Sequence, residues 1–293
     1  MPELREPCAC RVGLIATVAF AAAACGGGTA PKTLLTTQQA VFLSEAVALD
    51  AEGDVADATA TGATTTYNDA PPRGNVSLSS SPQCTIARSP ASPPDADGDG
   101  VPDSVRLTVS GCVLSYPSET DTLRGTIDIL DPTAGVDHAV KRIFTSLVRA
   151  RLRSGTLTSE TWNGTRMTTR DSSTLHHTDT NLRADYVFPN GTAATHVRTW
   201  TSTFTADTPA SIQADQPLPS GTWTITGTSS WAQGGNAYSI TVSTSRALHY
   251  NASCTATPRF DAGTLTAAVT LGGQMATVTI QFTGCGAVSG TVS

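Results

Sequence analysis

The 293-residue chain predicts a mainly β fold: a broad, twisted antiparallel meander sheet, open and curved or folded as a sandwich, with one N-terminal amphipathic helix packed on it. Three observations carry this. Thr and Ser are abundant, and branching at Cβ suits Thr to pleated strands rather than helix interiors. Apolar residues alternate with polar ones over long stretches, the period of a half-buried strand. Turn signals recur about every ten residues, the spacing of an antiparallel meander. A strand with one Thr/Ser/Arg face and one apolar face needs a cover, which a sandwich, a barrel or the N-terminal helix would supply.

The composition also excludes a partner. Net charge is −6, charged residues make up only 14% of the chain, and Lys occurs only at Lys32 and Lys141. A sequence-independent hold on nucleic acid needs many cations against phosphate, so nucleic acid is excluded.

Residues 1–24 read as a signal peptide. Arg5 and Arg11 flank a short n-region, and Val12–Ala24 is an apolar run too short to span a bilayer comfortably. Cys25 comes next, then Gly26-Gly27-Gly28. Small residues leading into a Cys resemble the lipobox of bacterial lipoproteins, which implies lipidation of Cys25 and a lipid anchor in the membrane. Gly26 resembles the residue after the Cys in lipoproteins sent to the outer membrane, so the expected location is the cell envelope, periplasmic or surface facing. The alternative is ordinary signal-peptidase cleavage near Ala24. Several acyl chains would hold firmly, since stable attachment takes two or more lipid signals.

Four cysteines remain in the mature chain: Cys84, Cys112, Cys254 and Cys285. An even number outside the cytoplasm reads as disulfides with three possible connectivities. The local pairs Cys84–Cys112 and Cys254–Cys285 are expected, because each brackets a compact unit. No pair has the CxxC spacing of a zinc site.

Residues 25–36 form a lipidated tether. Thr37–Ala51 carries apolar residues at helical spacing (Ala40, Leu43, Val47 and Phe42, Ala46, Leu49), with Thr36 or Thr37 as cap and an end by Gly53. With the linker after it, this makes segment 37–75, and 76–293 is the antiparallel β domain. Val105, Leu107 and Val109 open the alternation, which returns at Gly125–Ile129. Leu182, Ala184, Tyr186 and Phe188 share one parity ahead of the Pro189-Asn190-Gly191 turn, and Trp200 and Phe204 share one after it. Further strands are expected at Gly221–Ser229, Tyr238–Ser245, Leu265–Leu271 and Ala276–Phe282, with Gly234-Gly235-Asn236 and Gly272-Gly273 as turns. Segments 155–169 and 263–277 echo one another, sharing Gly-Thr-Leu-Thr, a later Gly, Met and Thr; a common hairpin grammar explains this about as well as duplication.

The candidate metal site is the loop 95–103. Asp95, Asp97, Asp99, Gly100, the carbonyl of Val101 and Asp103 occupy positions one, three, five, six, seven and nine of an oxygen cage. Position twelve is Arg106 rather than the bidentate Glu of an EF-hand, and the prolines of Ser89–Pro94 forbid a preceding helix. The stretch resembles the DxDxDGxxD loops of thrombospondin type 3 modules, which implies structural Ca2+ at Asp95, Asp97, Asp99, Val101 and Asp103. Four carboxylates repel in an ordered loop, and a divalent cation removes that cost.

Other candidates carry less. His176 and His177 point to opposite faces of a strand and cannot simply share an ion, so they read as surface residues. His138, His196 and His249 stand singly. Lys141, Arg142, Arg149, Arg151 and Arg153 form a basic stretch, with Lys141, Arg149, Arg151 and Arg153 expected on one face. That row reads as a solvated face paired with acids across the sheet; the rival reading is contact with an anionic glycan or lipid. No GxSxG, HExxH, P-loop or SxxK motif occurs. Four sequons, at Asn75, Asn163, Asn190 and Asn251, read as chance occurrences, since the lipobox resemblance implies a bacterial source. The expected role is structural or binding, without catalytic residues; a carrier of hydrophobic or lipid cargo is the alternative, and a polysaccharide or protein hydrolase a third.

Overall fold

The computed structural model describes residue 47, residues 66–67 and 76–77, and residues 85–293 apart from 117–118, 134, 136–138, 154, 214–215, 234–235, 257 and 272. The expected signal peptide and tether, Cys25, the expected 37–51 helix apart from Val47, Cys84 and His138 lie outside the described residues. The chain divides into two units, Met1–Thr33 and Leu34–Ser293. The first lies wholly outside the described residues; the second contains every strand.

Two strands, β1 (Thr66–Tyr67) and β2 (Val76–Ser77), pair only with each other. Twelve more form a single antiparallel sheet: β3 (Thr85–Ser89), β4 (Ser104–Tyr116), β5 (Glu119–Leu130), β6 (Ala139–Arg153), β7 (Thr156–Arg170), β8 (Thr174–Val187), β9 (Ala193–Ala206), β10 (Gly221–Gln233), β11 (Asn236–Tyr250), β12 (Phe260–Leu271), β13 (Gln274–Gly284) and β14 (Ala287–Val292). Each pairs with its neighbours in sequence, so the order runs β3 to β14 as an open meander rather than a sandwich. The edges β3 and β14 are short, five and six residues, which limits the backbone left unpaired.

All interior strands are longer than the alternating windows in the sequence, and the reason is a line of kinks. In the middle of several strands the register shifts by one or more residues: Arg124/Thr126, Phe144/Leu147, Asn163/Thr165 and Asp179/Leu182 in successive pairs. The backbone there turns to positive φ, at Ser146 (48°) and Asn181 (47°) and at glycines such as Gly164 (122°) and Gly227 (153°). A Cβ on Gly164 would lie 2.4 Å from the carbonyl oxygen of Asn181, and one on Gly227 would lie 2.2 Å from Trp200 Cβ. These glycines allow adjacent strands to approach closely at the bend, the device by which a large sheet curves. Backbone groups freed by the bulges are recovered by neighbouring side chains: Ser146 N–H donates to Asn163 Oδ1 (2.9 Å), and Asn181 N–H to Thr199 Oγ1 (3.0 Å).

The kinks overturn one expectation. A bulge at Ser146 switches the parity of β6, so Arg142 and Phe144 share the inner face with Leu147, Arg149 and Arg151, while Lys141 lies on the other. They also separate the two echoing segments. Gly164 is a mid-strand kink, whereas the matching position of segment 263–277 falls between the end of β12 at Leu271 and the start of β13 at Gln274, so the echo is not a structural repeat.

One face of the sheet, here the inner face, carries two apolar clusters. The C-terminal one runs through Phe204 and Trp223 (centroids 5.3 Å apart) to Phe260 and Phe282 (5.3 Å), closed by Ile212 and Leu218 from the β9–β10 connection. Val47, the one described residue of segment 37–51, is 2% exposed within it. The N-terminal cluster gathers Val105, Leu107 and Val109 of β4 with Ile127 and Ile129 of β5, capped by Val101 from the acidic loop. The outer face is the Thr/Ser/Arg side. Its most exposed large apolar residues, among the described ones, stand at one end: Leu152 opposite Leu157 on β6 and β7, Val187 on β8 and Met275 on β13 are 46%, 55%, 49% and 76% exposed.

Candidate functional site

The acidic loop folds on itself. Asp95 accepts from Gly98 N–H (2.8 Å) and Gly100 N–H (3.0 Å), Asp97 Oδ1 from Asp99 N–H (3.2 Å), and Asp99 from Val101 N–H (2.7 Å). Asp97 Oδ2 reaches out of the loop to Gly135 N–H (2.7 Å), tying it to the β5–β6 connection. That bond, with the one from Asp99 N–H, holds the Asp97 carboxyl below its ordinary range. One oxygen each from Asp95, Asp97 and Asp99 lies within 4.8 Å of the others. Asp103 is not in that group. Its Oδ1 accepts from Ala96 N–H (2.9 Å) and its N–H donates to Pro94 carbonyl (2.9 Å), closing the base of the loop. Val101 is fully buried in the N-terminal cluster, so its side chain anchors the loop to the sheet. An all-oxygen donor set suits a hard cation such as calcium, and three carboxylates supply part of a shell of six to eight.

A second constellation is buried between the apolar clusters. Asp179 on β8 is 0% exposed and faces Arg166 on β7 (Nε–Oδ1 2.9 Å) and Arg198 on β9 (Nε–Oδ2 2.6 Å). His177, also 0% exposed, hydrogen-bonds with Thr168 through Nδ1 (3.1 Å) and places Nε2 3.2 Å from Asp179 Oδ1. Burial alone would raise the Asp179 pKa; the charges of Arg166, Arg198 and His177 hold it well below the carboxylate range. The Arg198 guanidinium also stacks 4.4 Å over the Trp200 ring. The surface reading of the histidine pair is thus half corrected. His176 does point outward, hydrogen-bonding with Thr203 (3.1 Å), but His177 belongs to the core.

The basic stretch is corrected too. Arg142 and Arg149 are 8% and 7% exposed, not solvated. The pairing with acids across the sheet is present: Arg149 and Arg151 converge on buried Asp121 of β5, Arg151 at 3.3 Å, and Arg149 Nη1 lies 3.7 Å from Glu160 of β7. His249 likewise has partners that no sequence pattern reveals. Its Nδ1 meets Asp261 Oδ1 at 2.6 Å and its Nε2 meets Asp207 Oδ2 at 3.0 Å, and these bonds raise its pKa.

Toward the end of the sheet that carries the β8–β9 turn, the inner face of β7 to β11 holds an aromatic row. Trp162, Ala184, His196, Trp231 and Tyr238 are directly opposite one another on β7 to β11. All but Ala184 are part-exposed. Trp231 lies 5.4 Å from the Tyr186 ring and 5.6 Å from His196, whose Nε2 hydrogen-bonds with Ser229 Oγ (2.8 Å). Tyr186 pairs across β7 with Glu160, which joins this row to the Arg149–Asp121 cluster.

Cys254 and Cys285 are bridged as expected, with Cα atoms 5.5 Å apart. Cys112 is also disulfide-bonded; Cys84, its expected partner, lies outside the described residues.

No protein-family model, curated protein or solved structure matches this chain. The candidate residues missed by sequence reasoning, Asp179 with its arginines and the Trp231 row, come from strands that meet only through register. No local spacing marks them.

Proposed function

We propose that this is an exported, lipid-anchored β protein of the bacterial cell envelope that binds a partner on the inner face of its sheet, with a calcium-clipped loop as a structural fastening. The observation that carries the binding role is a row of part-exposed aromatic side chains, Trp162, His196, Trp231 and Tyr238, on an inner face whose C-terminal cluster is filled at 0–7% exposure. Ligand surfaces combine apolar and aromatic area with a few placed polar groups, and this row, with Glu160 and Arg151 beside it, has both. The filled cluster leaves less room for a carrier's buried cargo. A carrier of lipid cargo nevertheless has one observation in its favour, the exposed Leu152, Leu157, Val187 and Met275 at one end of the sheet, where a lipid surface could be met.

The anchor is tested first. Mass spectrometry of the mature N-terminus should find an acylated Cys25, and Cys25→Ser should move the protein from the membrane to the soluble fraction. An unmodified mature N-terminus starting after Ala24 would remove the anchor from this reading.

Calcium is tested by melting. With a dissociation constant of roughly 10⁻⁴–10⁻³ M, 1 mM calcium (~10⁻³ M) should add about 0.4–1.4 kcal/mol, a rise of roughly 1–6 °C over chelator-treated protein. Asp97→Asn together with Asp99→Asn should abolish the rise. A melting temperature indifferent to calcium would leave the loop a self-bonded acidic turn.

A further inference from the structure

We propose that the partner held on the inner face is an oligosaccharide, laid across the strands along the line Trp162–His196–Trp231–Tyr238. This rests on the binding reading above and names the ligand class for the same face.

The register sets the geometry. Residues directly opposite on antiparallel strands project from the same face, so the row from β7 to β11 is a straight line perpendicular to the strands. Four interstrand steps span about 19 Å, long enough for several sugar rings and too long for one small planar molecule. Ala184 interrupts the line, leaving a low point between Trp162 and His196. The aromatic faces are electron-rich, and the C–H bonds on a pyranose face carry partial positive charge, so ring faces stack there.

A sugar also carries hydroxyls that must be matched when water leaves. Both kinds of partner stand beside the row. Tyr186 contacts Trp231 at 5.4 Å and is directly opposite Glu160, whose side chain is 19% exposed. Arg151 on β6, 26% exposed, is directly opposite Asp121 of β5. Carboxylate and guanidinium next to stacked aromatic rings supply acceptors and forked donors in fixed positions, because the ion pairs hold them. A hydrocarbon chain laid over them would strip their remaining water without supplying a hydrogen bond in return, and that cost turns the chemistry toward a polyhydroxylated ligand.

The other tryptophans differ. Trp200 and Trp223 are 2% and 0% exposed within the C-terminal cluster, whereas Trp162 and Trp231 are part-exposed.

The test uses the full chain purified from membranes in detergent. Chito-, cello- and malto-hexaose and hexagalacturonate are titrated by calorimetry, with tryptophan fluorescence as second readout. At least one should bind with millimolar affinity or better. Trp231→Ala should weaken it about ten-fold or more, Trp231→Phe should keep most of the affinity, and Thr222→Ala on the outer face should change nothing. If Trp231→Ala fails to fold, Tyr186→Leu carries the same expectation. Failure of all four saccharides, or undiminished binding to folded Trp231→Ala, would overturn the oligosaccharide. A fatty acid that binds instead and is lost with Trp231→Ala would leave the binding reading standing; no binding of either would overturn both.

Discussion

Gly227→Ala should destabilise the sheet by roughly 3–5 kcal/mol, a large share of the 5–15 kcal/mol by which domains are stable. Two costs combine. At φ 153° an L side chain is strained, which costs of order 1–3 kcal/mol. The new methyl would also sit 2.2 Å from Trp200 Cβ, 2.3 Å from Trp200 Cα and 2.5 Å from the Thr199 carbonyl oxygen. Those are backbone atoms and the root of a side chain that is 2% exposed, so nothing flexible can give way and overpacking adds about 1–3 kcal/mol. Thr226→Ala, next along the strand and exposed, should stay within about 0.5 kcal/mol. Urea unfolding of the three proteins decides the matter. A Gly227→Ala loss below about 1 kcal/mol would mean that β9 and β10 are free to separate at the kink, and that the curvature is not set there.

That kink line marks the limit of what the sequence discloses. Val105, Leu107 and Val109, or Trp200 and Phe204, announce strands because alternation is a local property, and the meander is legible from turns at Pro189-Asn190-Gly191 and Gly272-Gly273. A mid-strand glycine carries the same signal as a turn glycine. Gly227 falls inside the expected strand Gly221–Ser229 with nothing to mark it as a kink, and Gly164 stands out only within the 155–169 echo, although both are bends in strands of 13 and 15 residues. Parity fails at the same places: Ser146 and Asn181 each reverse the face presented by the rest of their strand, and so the basic stretch of β6 reads as solvated although Arg142 and Arg149 are buried. The acidic loop is legible as a unit because its carboxylates lie within nine residues. Even there, Asp103 turns to Ala96 rather than joining the other three, a choice of hydrogen bond that spacing does not encode.

The buried charges obey a different logic, and they bind the two apolar clusters into one face. Arg166, Asp179 and Arg198 come from three adjacent strands and occupy the place where the apolar clusters of β4–β6 and β9–β13 meet. An apolar residue at Asp179 would close a core as well. What the ion pairs add is register: the bidentate guanidinium of Arg166 meets Asp179 only when β7 and β8 are aligned past the Asn163/Thr165 shift. A one-residue slip would bury the arginines unpaired. Such specificity matters most in a long meander of like-looking Thr-rich strands.

Asp179→Asn tests this directly and should cost about 3–5 kcal/mol, because it leaves two buried guanidinium groups without their counter-charge. The triple variant Arg166→Met, Asp179→Leu, Arg198→Met should recover most of that loss, since a buried ion triad and a packed apolar one are often of similar stability. The pH dependence fixes the cause. In the unfolded chain the carboxyl titrates near 3.8, and in the folded sheet well below it. Its contribution is therefore complete above the unfolded value and declines as pH falls below 3.8 toward the folded one. The stability gap between the native chain and Asp179→Asn should be constant from pH 7 to about 5 and narrow on further acidification. A gap that instead widened in acid would show that Asp179 is protonated in the folded sheet and bonded as a neutral acid. In that case the arginines would draw their balance from elsewhere on the inner face, and the triple variant would remain as destabilised as the single one.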